Sequence, residues 1–234
     1  MNILGIIPAR KNSKEIKKKN HLKIDGWSLA EKAVLSAKKS KLINKIIFSS
    51  DDKILVNKVK KIGPYCPFVR PKYLSEDNSS NYEVCRHAVK WLEKKNNWNT
   101  DIVVLLQPTT PFRTPNIIDE VIKKLLNSKA DSIITITSPS YPHQWALKMK
   151  GKYLNLIEQK SSMYRRRQDV PQTFIPAGMV YALRKDTLFK LKGILPQKKT
   201  MGFFVKPNIA LNIDNYSQYL LAKIFSKNKK KFLK

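Results

Sequence analysis

Cysteine, glycine and acidic side chains are all scarce in this chain, and each scarcity excludes something. Two cysteines in 234 residues, Cys66 in an apolar stretch and Cys85 in an amphipathic one, suit buried thiols in a reducing cytosol better than a disulfide framework. Seven glycines and 13 prolines are too few for collagen or a low-complexity chain, and 42% apolar with 27% charged residues is ordinary globular composition. Long hydrophobic runs are missing too: the stretches from Asn2 to Ile7 and from Ile102 to Leu106 fall far short of the roughly 18 residues that span a bilayer. The apolar N-terminus precedes its basic run, the reverse of a secretory signal, so no export signal and a cytoplasmic location are expected.

The shortage of acids is the most telling. Seventeen Asp and Glu stand against 46 Lys and Arg, a net charge of +29, and such an excess implies an anionic partner. Nucleic acid, a membrane surface and a phosphorylated small substrate all satisfy that requirement, and charge alone does not choose among them. The terminal run from Lys227 to Lys231 reads as a frayed, solvated tail.

What is present is an alternation of short β-branched runs with amphipathic stretches, the signature of a parallel sheet covered by helices. Strands are expected at Ile3 to Ile7, Lys45 to Ser49, Pro67 to Val69, Ile102 to Leu106 and Ser132 to Thr137. Helices start near Ser28, Asp52, Ser80 and Pro115. Ser28 with Glu31 and Ser80 with Glu83 have capping-box spacing, and Pro115 suits a first helical turn. After about Ser138 the pattern breaks into a basic, proline-punctuated segment that reads as a subdomain, about residues 139–177, inserted in one domain spanning 1–234. Strands near Met179 to Leu183, Phe203 to Lys206 and Ile209 to Ile213, and a helix from about Tyr216, complete the chain.

Ligands of open α/β sheets bind beyond the carboxyl ends of the strands. The first such loop, Pro8 to Asn20, carries six cations with Ser13, Asn12 and Asn20, and lacks the glycines of a Walker or Rossmann turn. It reads as a polyphosphate clamp, or as a solvated basic loop. Gln107, Thr109 and Thr110, braced by Pro108 and Pro111, offer neutral hydrogen bonds suited to sugar hydroxyls, though a plain proline-rich loop fits equally. The cluster Arg165-Arg166-Arg167 either pairs with an anion or forms a surface patch. Asp214, two residues after Asn212 on an expected strand, either shares a Mg²⁺ ion with it or caps the next helix.

In this order, PARKNSKEIKKKN, LLQPTTPFR, RRRQDVPQ and the late NID resemble the acylneuraminate cytidylyltransferases, the CMP-sialic acid synthetase family, over nearly the whole chain. The resemblance implies an open, mostly parallel sheet with helices on both faces, like the nucleotide-diphospho-sugar transferases, and an inserted dimerisation and substrate arm. It implies Mg²⁺-dependent attack of a nine-carbon α-keto acid sugar on CTP, within a homodimer and without nucleic acid or membrane. It makes Arg10, Ser13, Lys14 and Lys19 the triphosphate clamp, Asn20 a cytidine-side partner, and Arg70, Ser79 and Asn81 nucleotide contacts. Gln107 falls on the sugar side, with Thr109 and Gln172 as further substrate contacts. Arg167 faces the sugar carboxylate as a catalytic residue beside Lys19 and Asp214, and Tyr181 lines the substrate. Asn212 stands where the family usually has the first aspartate of a metal-binding pair, so Asp214 is the principal Mg²⁺ ligand. Ala177 and the neighbourhood of Lys148 also depart from the sialic-acid enzymes, which points towards a relative such as legionaminic or pseudaminic acid. Three other readings stand beside this one: a cytidylyltransferase for the eight-carbon sugar Kdo, whose opening loop differs, a non-catalytic homologue, and a basic nucleic-acid-binding protein.

Overall fold

The computed structural model describes residues 1–157, 166–190 and 199–232. Strand β1 (Ile3–Pro8) runs into the basic loop, which ends in a 3₁₀ turn at Lys19–His21. A small hairpin follows, β2 (Lys23–Ile24) and β3 (Trp27–Ser28), turned by Asp25 and Gly26 at φ 53° and 80°. Asp-Gly is the pairing that tight hairpins favour, because both residues tolerate positive φ. Helix α1 (Leu29–Lys38), strand β4 (Lys45–Ser49), helix α2 (Lys53–Lys60) and helix α3 (Asn81–Asn96) come next. Both expected capping boxes form, Ser28 with Glu31 and Ser80 with Glu83.

Strand β5 (Ile102–Leu105) leads to helix α4 (Pro115–Leu126), capped by Thr114 with Pro115 in its first turn, and then to β6 (Ser132–Thr137). A separate hairpin, β7 (Leu147–Lys150) with β8 (Tyr153–Leu156), precedes β9 (Ile175–Arg184), α5 (Lys185–Lys190) and β10 (Thr200–Phe204). Helices α6 (Tyr216–Lys227) and α7 (Lys229–Phe232) close the chain.

The main sheet has the order β10-β6-β9-β5-β1-β4. β9 runs antiparallel to both its neighbours, and the other pairs are parallel. Its central strands are buried along their whole length, as expected of a sheet covered on both faces. From β1 the chain goes to β4 on one side and returns to β5 on the other, so the loops leaving β1 and β5 diverge and open a crevice. Helices α1, α2 and α4 pack on one face and α3 with α5 on the other.

A third apolar cluster matters more for function. Ile16 from the basic loop, Ile24 from β2, Leu29, Phe112 after β5, Ile213 and Ala222 of α6 are buried together. Each large aliphatic side chain so buried is worth about 1.5–3 kcal/mol. The cluster therefore draws the N-terminal loop and the late segment to one place.

Five expectations are corrected. Pro67–Val69 is not a strand: one bridge, Ile47 to Tyr65, is all that forms, because Pro64 and Pro67 have no amide to extend it. Ile209–Ile213 is a turn and loop, started by Pro207 and held by amides 209 and 210 on the Lys206 carbonyl; its alternating apolar residues serve the third cluster. The strand expected at 203–206 lies at Thr200–Phe204, and that expected at 179–183 begins at Ile175. The C-terminal run is not a frayed tail among the described residues. Phe232 stacks on Phe225 with centroids 4.8 Å apart, and Lys229 Nζ lies 2.7 Å from Asp25.

Cys66 and Cys85 are both free thiols, and burial pushes them up to about 11 and about 12 respectively.

Asp25 thus joins the β2–β3 turn to the C-terminus, accepting from Lys229, Ser226 and Lys32. Burial opposes its ionisation, yet these partners hold its carboxyl down to about 2. Its stabilising effect is therefore full above the unfolded value near 4 and lost as pH falls to about 2. Asp25→Asn keeps the turn and removes the charge. We expect a loss of about 1 kcal/mol at pH 7 and a flatter acid limb between pH 4 and 2, read by urea unfolding across that range.

Candidate active site

The loop after β1 is fastened at its far end by side chains of the 3₁₀ turn. Asn20 is buried, and its amide donates to the Arg10 carbonyl at 2.9 Å. His21 Nε2 lies 2.6 Å from Asp52 Oδ2, while Asp52 Oδ1 caps α2 through the Leu55 amide. Between them Lys19, only 14% exposed, reaches across to Asp214 Oδ1 at 3.0 Å. The two ends of the sequence meet at this ion pair.

They enclose a cleft of about 390 Å³ at the crevice between β1 and β5. The first wall is the basic loop, with Arg10, Ser13, Lys19 and Asn20 facing in. The second is the 70–81 segment, which contributes Arg70, Ser79 and Asn81, together with the acids Glu76 and Asp77. Gln107 and Thr109 form the floor, and Asn212 and Asp214 the third side.

Arg70 is buried, and its side chain donates to Ser75 Oγ at 3.1 Å and to Asp51 at 3.5 Å. Burial lowers its pKa, with the Asp51 charge working the other way. Ser79 Oγ donates to the Tyr73 carbonyl at 2.7 Å. At the rim Arg10 pairs with Asp77, and Lys14 approaches the same carboxylate at 3.5 Å. Against an opposing desolvation, these two cations hold the Asp77 carboxyl below the usual range.

Four expected residues lie elsewhere. Lys14 does not line the cleft and touches it through Asp77. Arg167 and Gln172 line a separate hollow of about 250 Å³ with Pro139, Pro142 and Pro171, where Arg167 donates to the Pro139 carbonyl at 3.4 Å. Arg165 lies outside the described residues. Tyr181 faces no cleft: it is 8% exposed, sits opposite Leu105 in the sheet and packs in the core on the α3 side, where burial raises its pKa. Alternation along β9 sends its side chain to the helix-covered face.

Asn212 and Asp214 do not share a strand face, since no strand forms there, yet they meet: Asn212 Nδ2 donates to Asp214 Oδ2 at 2.6 Å. Nor does Asp214 cap α6. Asn215 does, in a reciprocal box with Gln218, whose Oε1 accepts the amides of Asp214 and Asn215 at 2.7 and 3.0 Å. The Asp214 carboxylate is therefore not spent on the helix, and keeps Lys19 and the Asn212 amide as its partners. Beside it Asn212 Oδ1 is buried without a hydrogen-bond partner. Asn212 and Asp214 both line the cleft, and one carboxylate with one unpartnered amide oxygen is a donor set of the kind Mg²⁺ takes, with water and phosphate filling the rest. Among the described residues no group of three His, Cys, Asp or Glu forms a denser metal site.

Sequence reasoning missed the device beneath the floor. Arg113 is buried and pairs with no carboxylate among the described residues; its guanidinium donates to the carbonyls of Gln107 (2.8 Å) and Met179 (2.9 Å), to Thr110 Oγ1 (3.1 Å) and to Ser36 Oγ (3.3 Å). Burial pushes it down to about 9. It ties the loop after β5 to β9 at an irregularity in the β6–β9 pairing, next to Gly178 at φ 70°. Its position at the end of PTTPFR, two residues before a helix start, was the available signal.

The whole described arrangement has counterparts. The cytidylyltransferase family model matches residues 4–232. Pseudaminic acid cytidylyltransferase of Campylobacter jejuni is 29% identical over 233 residues, 97% of each chain. CMP-N,N'-diacetyllegionaminic acid synthase of Legionella pneumophila is 29% identical over 147 residues, 62% of each. Among solved structures, CMP:2-keto-3-deoxy-manno-octonic acid synthetase in complex with CTP superimposes with a TM-score of 0.68 at 17% identity, over 99% of this chain and 100% of that one, a likeness of fold. An open α/β sheet whose crevice faces a cationic loop on one side and a carboxylate on the other is the arrangement of a nucleotidyltransferase of this type. The chain belongs to the cytidylyltransferase family.

At Gly178 an added Cβ would stand 3.0 Å from Gln107 Oε1, in a left-handed conformation that side chains disfavour. Gly178→Ala is expected to lower stability by about 1–2 kcal/mol. Thermal unfolding checks this, and an unchanged melting temperature would contradict the strain assigned here.

Proposed function

We propose that this protein transfers CMP from CTP to the anomeric hydroxyl of a nine-carbon α-keto acid sugar of the sialic, legionaminic or pseudaminic type, releasing pyrophosphate. The observation that carries the reading is the joint cleft: the cationic loop after β1 and the Asn212–Asp214 pair face each other across a space floored by Gln107 and Thr109. The relatives named for pseudaminic and legionaminic acids support the acceptor class.

In the reaction the sugar oxygen bonds to the α-phosphorus, the bond from that phosphorus to the bridging oxygen breaks, and its electron pair leaves with pyrophosphate. The protein has no covalent part to play, so its work is positioning and charge neutralisation. Arg10, Lys14 and Lys19 offset the charge that grows on the departing group, with Ser13 and Asn20 as neutral donors. Arg70, Ser79 and Asn81 hold the nucleotide from the second wall. Gln107 and Thr109 face the sugar, and Arg167 with Gln172 receives its carboxylate from the inserted segment. The hydroxyl proton goes to Asp214 or to solvent; Glu76 and Asp77 are the other carboxylates that line the cleft. Asp214, with the Asn212 amide oxygen, would hold Mg²⁺, which when bound supplies positive charge to the phosphate oxygens.

We further assign residues 139–177 to a dimerisation and substrate arm in a cytoplasmic enzyme. Met149, Tyr153, Leu154 and Ile157 are strongly exposed there, an apolar face that a second copy would cover. Light scattering is expected to give twice the chain mass, and a single-chain mass would remove the assignment.

Pyrophosphate release from CTP with a panel of sialic, legionaminic, pseudaminic and Kdo acids, with and without Mg²⁺, tests the function. Release is expected with a nine-carbon acid, and none with any acid sinks the reading. In the same assay Lys19→Ala is expected to lower kcat roughly 10²–10³-fold, and Arg167→Ala mainly to raise the KM for the sugar. Equal loss of both parameters in both variants would contradict this division of labour.

A further inference from the structure

The cleft uses little of the chain's positive charge. Of 46 Lys and Arg, only Arg10, Lys19 and Arg70 line it, so a triphosphate bound there leaves most of the excess without a partner. The excess is most one-sided near the C-terminus, where Asp214 is the last acid and the residues after it include six lysines. Helix α6 opens that segment and is apolar on both sides. Inwards, Ala222 and Ser226 are buried, and Tyr219 and Phe225 pack on the third apolar cluster. At about 3.6 residues per turn, Leu220 and Ile224 fall on the opposite side, with Leu221 beside them. They are 44%, 51% and 39% exposed, and Lys223 and Lys227, also exposed, edge the stripe they form.

The helix is fastened so that this side stays outermost. The Tyr219 hydroxyl donates to the Lys23 carbonyl at 3.2 Å, and Ser226 Oγ donates to Asp25. Phe232, stacked on Phe225, holds the lysine run against the end of α6.

We propose that the outer face of α6 docks on an anionic lipid bilayer, with Leu220, Leu221 and Ile224 entering the acyl boundary and Lys223 and Lys227 at the headgroup phosphates. The inference goes beyond the CTP reading and stands without it. It departs from the expectation, carried by the family resemblance, of no membrane partner. No described helix is long and apolar enough to cross a bilayer, and the contact needs none that does. Charge complementarity selects this occupant. A second copy of the chain would bring the same lysines to the contact and repel them. Nucleic acid would neutralise the lysines but has no apolar interior to receive three aliphatic side chains. Anionic headgroups over hydrocarbon receive both, and the lysine stems lie along the apolar stripe while their ammonium groups reach phosphate.

The test is co-sedimentation of the full chain with vesicles of phosphatidylcholine, with and without phosphatidylglycerol. Binding is expected to be roughly tenfold or more tighter with phosphatidylglycerol, and to weaken as salt is raised. A chain this cationic adheres to any anionic surface, so the deciding variant keeps the charge. Leu220→Gln with Ile224→Gln, both at exposed positions, is expected to lower binding to the anionic vesicles roughly tenfold or more. Lys223→Gln with Lys227→Gln is expected to lower it roughly tenfold and to flatten the salt dependence. Circular dichroism checks that each variant folds. Undiminished binding in the Leu220 and Ile224 variant would overturn the proposal, as would equal binding to both kinds of vesicle. Duplex DNA held more tightly than the anionic vesicles would assign the face to nucleic acid. A fall in mass by light scattering in the Leu220 and Ile224 variant would assign it to a second copy, and either result removes the bilayer.

Discussion

The burial of Ile16 and Ile213 in one apolar cluster is the constraint on which the site depends. Ile16 sits three residues before Lys19, and Ile213 lies between Asn212 and Asp214. The first segment holds only a 3₁₀ turn and the second no helix or strand, so regular secondary structure does not bring them together. Removing the two side chains from water does, and it brings Lys19 and Asp214, 195 residues apart, to 3.0 Å. The Ile213 amide bonded to the Thr109 carbonyl at 2.8 Å fixes the same segment to the floor of the cleft.

A chain with a net charge of +29 must place its few acids with care. At the cleft they stand beside cations: Asp77 with Arg10 and Lys14, Asp51 with Arg70, Asp214 with Lys19. These are partly exposed pairs of modest strength, so they order the cationic side chains without committing them. A polyphosphate, with several charges and a dense set of acceptor oxygens, competes well for the same donors. The buried Arg113 works differently. With four oxygen acceptors and, among the described residues, no carboxylate partner, it is a fixed brace between the loop after β5 and the bent strand β9.

Much of this was legible beforehand for identifiable reasons. The loop after β1 announces itself by composition, and the capping boxes at Ser28 and Ser80 by spacing, because both are local properties of the chain. Eleven expected residues, among them Arg10, Asn20, Arg70, Gln107 and Asp214, line one cleft. Tyr181 was misjudged because alternation along β9 is invisible until its register against β5 is known. Ile209 to Ile213 alternates like a strand, but the alternation serves a side-chain cluster around a turn.

By itself, then, the sequence determined the strands of the main sheet, helices α1 to α4 and α6, the capping boxes at Ser28 and Ser80, and the residue types that a phosphorylated ligand requires, since these follow from periodicity and short-range hydrogen bonding. Tertiary structure alone decided that Lys19 occupies the Asp214 carboxylate, that Arg113 braces the floor, and that Lys229 folds back onto Asp25. Each of those outcomes depends on groups far apart in the chain competing for the same partner, and the winner is set by distance and burial that no local pattern encodes.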